Sequence, residues 1–99
     1  MQVALPAKVE VECRPLYEIA QEIERKWRPI NFAAKPYVEA LASLKTINDM
    51  YGLDSAVEIV ARFLGNAAQF KGPEAKALKD ELKIHLHRKC DRVLPGSVL

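Results

Sequence analysis

Cysteine is scarce in this chain: Cys13 and Cys90 are the only two among 99 residues. That count excludes a small disulfide-dense scaffold, and such sparse use fits two free thiols in a reducing compartment. Glycine is scarce as well, at four, and none sits in a phosphate-cradling loop or a G-x-S-x-G elbow; an H-E-x-x-H helix is also missing. Charge of one sign is not in surplus, since fifteen Lys and Arg face thirteen Asp and Glu for a net +2. A balance that even does not mark a polyanion-binding protein by itself. No apolar run approaches the ~18 residues of a membrane helix. Met1 to Lys8 carries no basic lead followed by an apolar stretch of secretory length. The expectation is a cytoplasmic protein with no membrane segment.

What is present is an ordinary soluble mix, 49% hydrophobic and 28% charged, at a length that fits one domain of about 100 residues and not two. The chain divides into an N-terminal arm (1–14), a helical domain (15–90) and a C-terminal tail (91–99). Pro15 can open a first helix, along which Leu16, Ile19, Ala20, Ile23 and Trp27 form one apolar stripe before Pro29 stops it. Pro36 opens a second, with Tyr37, Ala40, Leu41, Leu44, Ile47 and Tyr51 on one face. Gly52 then fits a left-handed C-terminal position, with Leu53 folding back onto Ile47. Asp54, or Ser55 with Glu58 in an S-x-x-E box, marks a third N-terminus. From there Ala56, Ile59, Val60, Phe63, Leu64, Ala67 and Phe70 make a broad apolar face. Ala61, Gly65 and Ala68 offer a second, small face for close backbone approach. Gly72-Pro73 starts a fourth, two-sided helix with Ala75, Leu78, Leu82, His85 and Leu86 in its seam. Short connections favour antiparallel neighbours. The fold class expected is all-α: a compact four-helix bundle with the third helix inside, a short extended N-terminal arm and an irregular tail.

Val9 to Cys13 alternates like a strand. It can pair with Arg92-Val93-Leu94, meet a copy of itself across a dimer, or remain a loosely held arm; the arm is the expectation adopted.

The candidate chemistries are few. By segment the net charge is −3 over 1–24, +3 over 25–51, −1 over 52–70, and +3 over 71–99, where seven cations face four acids. Lys76, Lys79, Lys83 and Arg88 therefore form a basic face on the fourth helix that suits phosphates, interrupted by Asp80 and Glu81. The Met50–Asp54 junction has the shape of a helix-turn-helix turn, but the helix after it lacks the Arg, Asn or Gln of a base reader. His85 and His87 point about 200° apart on a helix. His87, Cys90 and Asp91 share a face but fall short of the four ligands of a structural zinc, and His85 is expected to pair with Glu81 instead. Cys90 near His87 lacks a third, orienting group for a nucleophile. No catalytic residue, metal site or cofactor is assigned, and the chain is not expected to be an enzyme. Trp27, Phe32, Tyr37 and Tyr51 are large residues near helix ends, where an exposed aromatic carries interface energy; Phe32, in the Ile30–Ala34 connection, is the leading anchor.

Ile23 and Trp27, Pro36-Tyr37 with Ala40 and Leu44, Ile47, Asp49, Tyr51-Gly52-Leu53-Asp54-Ser55-Ala56, Ile59-Val60, Phe63-Leu64, Asn66-Ala67 and Glu81-Leu82-Lys83 form a pattern over about sixty residues. In this pattern the chain resembles small helical proteins encoded by bacterial phages, plasmids and conjugative elements. The resemblance implies a mobile-element accessory protein whose partner is a host protein. The reading is a non-enzymatic interaction module that binds another protein or itself as a homodimer, an inhibitor of a bacterial defence component being one special case. The alternative is a nucleic-acid-binding protein using the basic face.

Overall fold

The structure, a computed structural model, describes residues 11–95. Among the described residues are four helices and four two-residue strands, in the order β1 (Glu12–Cys13), α1 (Leu16–Lys26), α2 (Lys35–Leu41), β2 (Met50–Tyr51), β3 (Asp54–Ser55), α3 (Ala56–Gly65), α4 (Pro73–Leu86) and β4 (Arg92–Val93). The all-α expectation is thus overturned by two small sheets. In one, β1 pairs parallel with β4; in the other, β2 pairs antiparallel with β3.

α1 forms where its apolar stripe and charge order agree. Leu16, Ile19, Ala20 and Ile23 are buried, Glu18 lies in the first turn, and Arg25 and Lys26 lie in the last, so both ends suit the helix dipole. Pro15 is the extended N-cap. The first free amides find unusual partners: Leu16 N–H donates to the Lys45 carbonyl at 2.9 Å and Tyr17 N–H to the Leu44 carbonyl at 2.8 Å. The chain after α2 therefore supplies the acceptors that a helix start requires.

That duty explains why the second helix stops at Leu41, ten residues before the Tyr51 the apolar spacing suggests. Ser43 Oγ donates to the Ala40 carbonyl, and the Asp49 carboxylate accepts from the amides of Lys45 and Thr46. Short polar side chains here compete with the helical ladder for backbone groups. Leu44 and Ile47 still enter the core, so the spacing found the right residues on the wrong backbone. The amides that bond Asp49 also hold its carboxyl below the usual carboxylate range.

The expected helix end at Gly52 is instead the loop of a β-hairpin. Tyr51 faces Asp54 across a two-residue Gly52-Leu53 loop, and Gly52 sits at φ +62°, a conformation open to glycine at little cost. Leu53 does not fold onto Ile47; it is 99% exposed.

Ser55 caps α3, its hydroxyl accepting from Glu58 N–H at 3.2 Å. Ala56, Ile59, Val60 and Phe63 point inward, but Ala61, Arg62 and Gly65 face solvent. α3 is consequently one wall, not a central rod: α1 packs on α2 and α4, and α3 packs on the same two helices from the other side. The small face of Ala61, Gly65 and Ala68 is open, and a Cβ placed on Gly65 meets nothing within 4 Å. α4 ends in a Schellman motif: Lys89 N–H reaches the Ile84 carbonyl and Arg88 N–H the His85 carbonyl. The left-handed residue of that motif is Arg88, at φ +56°.

The two ends are tied together. Cys13 and Cys90 form a disulfide with Cα atoms 5.8 Å apart, so the free-thiol expectation is corrected. Glu12 and Cys13 lie beside Arg92 and Val93, Asp91 Oδ2 accepts from Val11 N–H, and Tyr17 Oη donates to the Pro95 carbonyl at 2.9 Å. From residue 11 onward the supposed loose arm is a paired strand, and the supposed irregular tail holds its partner. Val9 and Glu10 lie outside the described residues.

Candidate functional site

A hollow of about 610 Å³ opens where α1 ends and α2 begins. Trp27, Pro29, Ile30 and Val38 supply its apolar surface. Glu24 and Glu39 face Arg28 and Lys35 around it, so the rim carries both signs of charge in equal number. Trp27 is fixed there by its neighbours: it stacks on Phe70 at 5.0 Å and meets Phe63 edge-on at 6.3 Å. Only 9% of Trp27 is exposed, so the residue is a wall of the hollow and not a protruding anchor. The Arg28–Pro29 peptide bond, also in that wall, is cis.

Phe32 does not line this hollow; it lies in the connection between two residues that do, Ile30 and Lys35, and is 90% exposed. Its presentation follows from one residue. Asn31 Oδ1 accepts from Ala33 N–H at 2.8 Å, closing an Asx turn, while Asn31 Nδ2 donates to Gln69 Oε1 at 3.0 Å. Asn31 pins the turn to the loop after α3 and leaves Phe32 at its tip. Of the other aromatics singled out from the sequence, Tyr37 is half-buried against the core. Tyr51 is exposed with Met50 and Leu53 on the β2–β3 hairpin. The aromatic candidates therefore separate into a hollow with Phe32 beside it and a distinct apolar hairpin.

The basic candidates separate too. Lys76, Lys79 and Lys83 line a second hollow of about 370 Å³ together with Phe70 and Lys71. Lys76 is paired with Asp80 at 2.8 Å. Lys79 Nζ lies 6.0 Å over the Phe70 ring, and its pKa is lowered first by partial burial and then by the charges of Lys83 and Lys71. Arg88 is elsewhere, at the far end of α4, where its guanidinium donates to Asn48 Oδ1 at 2.6 Å.

The titratable cluster of the last helix is rearranged relative to the sequence reading. His87, Cys90 and Asp91 do not form the triad; Cys13, His85 and Cys90 do, with one ligand atom from each within 4.8 Å of the others. Both sulfurs are spent on the disulfide, so Cys90 is no nucleophile while the bridge is closed. Reduced, the three residues present two thiols and an imidazole, three of the four ligands of a structural zinc. His85 does not bond Glu81: its Nε2 shares a 2.7 Å hydrogen bond with the Arg14 carbonyl. Burial pushes its pKa below the ordinary value of 6.5, against smaller upward pulls from that bond and from Glu81. Glu81 is taken by Arg14, which also bonds Glu22. Arg14 is thereby held even more firmly protonated, the Glu81 bonds being the largest cause. Sequence reasoning missed Arg14, and the separation of 67 residues from Glu81 left no local pattern to find.

No helix is long and apolar enough to cross a membrane among the described residues. No protein-family model, curated protein or solved structure matches this chain.

Proposed function

We propose that the chain is a non-enzymatic protein-binding module whose docking face is the hollow between α1 and α2 with Phe32 beside it. One observation carries the reading: a 90% exposed phenylalanine held at a side-chain-built turn beside an apolar hollow. Large exposed aromatics are costly to keep in water, and buried in a partner's pocket they concentrate binding energy. The equal rim charges favour a partner segment that carries an apolar side chain flanked by residues of both signs. A peptide segment with apolar and charged side chains matches this lining, which is half apolar and half charged.

The setting implied by the residue resemblance is a bacterial mobile element, and in that setting the partner is a host protein, a defence component among them. A phage-plating assay with and without the protein tests that special case. The proposal concerns the oxidised chain. A bridge of this kind persists in oxidising compartments and is reduced in the cytoplasm, so it counts against the expected cytoplasmic setting.

The test is affinity capture with tagged, oxidised protein, set beside light scattering of the free chain. Phe32→Ala is expected to weaken capture of a partner at least 30-fold, the effect of losing about 2 kcal/mol at a binding hot spot. Leu53→Ala on the hairpin is expected to leave it intact. Equal loss in both variants, or none in either, contradicts the reading. A dimer that Phe32→Ala dissociates makes the partner a second copy.

A further inference from the structure

We infer that the hollow between the Phe70–Gly72 turn and α4, ringed by Lys71, Lys76, Lys79 and Lys83, is a phosphate-backbone site for nucleic acid, read without sequence preference. It is independent of the docking face proposed above. Lys76, Lys79 and Lys83 recur at i, i+3 and i+7 and so share one face of α4, covering about 10 Å of helix axis. Each strand of a duplex carries one phosphate per ~3.4 Å of the duplex axis, so a row of cations of this length faces more than one phosphate. A linear polyanion can therefore meet all three lysines, whereas a single small anion meets fewer.

The charge lining this hollow is unbalanced, four lysines against one acid. The one acid lining the hollow, Asp80, is held by Lys76. Among the described residues Lys71, Lys79 and Lys83 have no carboxylate in an ion pair. Partial burial, and after it the charges of Lys83 and Lys71, disfavours the charge on Lys79, and an anion placed between the three lysines offsets their mutual repulsion. The Lys79 ammonium also has a firm seat, because the Phe70 ring beneath it is itself stacked on Trp27.

The same geometry argues against base reading and against lipid. Phe70 is the one aromatic in the hollow and is 5% exposed, which leaves no free ring face for a base to stack on. None of the exposed large apolar side chains, Val11, Phe32, Met50, Tyr51 and Leu53, lines this hollow, so a bilayer would gain no apolar insertion within it. Contacts to phosphate alone position a protein without specifying sequence.

Fluorescence anisotropy on the oxidised full chain with two labelled 20-base-pair duplexes of unrelated sequence tests this. The two duplexes should bind equally. Phosphate contacts from the three lysines without a carboxylate partner, Lys71, Lys79 and Lys83, give a slope of log affinity on log salt of about −2.7, hence a fall of about 40-fold between 50 and 200 mM salt. Lys79→Glu with Lys83→Glu should reduce affinity at least tenfold at 50 mM salt and flatten the slope toward about −0.9. Lys71→Glu alone should do so in part, while Lys45→Glu, at an exposed lysine that does not line the hollow, should not. Circular dichroism confirms that each variant is folded. No binding at 50 mM salt, equal binding by the double variant, or binding to phosphatidylserine vesicles in place of either duplex overturns the proposal.

Discussion

Arg14 and Glu81 join the start of α1 to the middle of α4 by a forked pair: Arg14 Nε donates to Glu81 Oε1 at 2.8 Å and Nη2 to Oε2 at 2.6 Å. A third nitrogen, Nη1, donates to Glu22 at 2.7 Å, and the Arg14 backbone carbonyl is the acceptor for His85. One residue thus spends both side chain and main chain on holding the N-terminal strand against the last helix. The planar fork requires arginine. A double-mutant cycle on Arg14→Ala and Glu81→Ala should give a coupling of about 1 kcal/mol, above the value of an isolated surface pair. Arg14→Lys should recover less than half of it, read from urea melts.

The disulfide beside this pair closes a long loop, with a sequence separation of 77. On the chain-entropy account a loop of that length is worth about 4.5 kcal/mol, and losses of about 2–5 kcal/mol accompany removal of native bridges in small domains. Cys90→Ser, or dithiothreitol on the native chain, should lower the unfolding free energy by that range. Denaturant melts in both redox states check it; equal midpoints would show that the bridge carries no stability.

The pH dependence follows from His85, which is 1% exposed and has a depressed pKa in the folded chain. The unfolded chain takes up the proton first, so His85 contributes fully above its ordinary value of 6.5 and the contribution is lost as pH falls below it. Asp49, also depressed, acts in the same direction at lower pH, below the ordinary carboxylate value of 3.8. Thermal midpoints should therefore fall on acidification from pH 7 to 5. His85→Gln, which keeps a donor for the Arg14 carbonyl without a titrating ring, should flatten that interval.

Gly65 closes α3 with open space where its Cβ would stand. The sequence suggests a packing reason for a helical glycine, and the structure shows none. Gly65→Ala should raise stability by up to ~1 kcal/mol, through helix propensity and a less flexible unfolded chain. Thermal and urea midpoints of the variant check the sign.

Legibility in the sequence tracked the range of the interaction. The start of α1, the Ser55 cap, and Pro36 and Pro73 at helix starts are written within four residues of each helix, and the structure has them there. The apolar periodicity also found the core, with Leu44 and Ile47 inside despite the missing helix. What escaped was decided at long range. α2 ends early because its trailing carbonyls cap α1, and the arm is ordered because Cys13 meets Cys90. Within the candidate site, the exposure of Phe32 was readable from its place in the Ile30–Ala34 connection between two helices. Trp27 was not separable from it, because exposure at a helix end depends on Phe70 and Phe63 arriving from elsewhere.

The claim that the face beside Phe32 receives a protein segment is tested most directly by site-specific photo-cross-linking. A benzoyl-phenylalanine installed at position 32 is expected to form a discrete covalent adduct in oxidised protein incubated with host extract or with itself. The same probe at position 61, on the open face of α3, is expected to form none. An adduct at 61 and not at 32, or equal yields at both, would contradict the account.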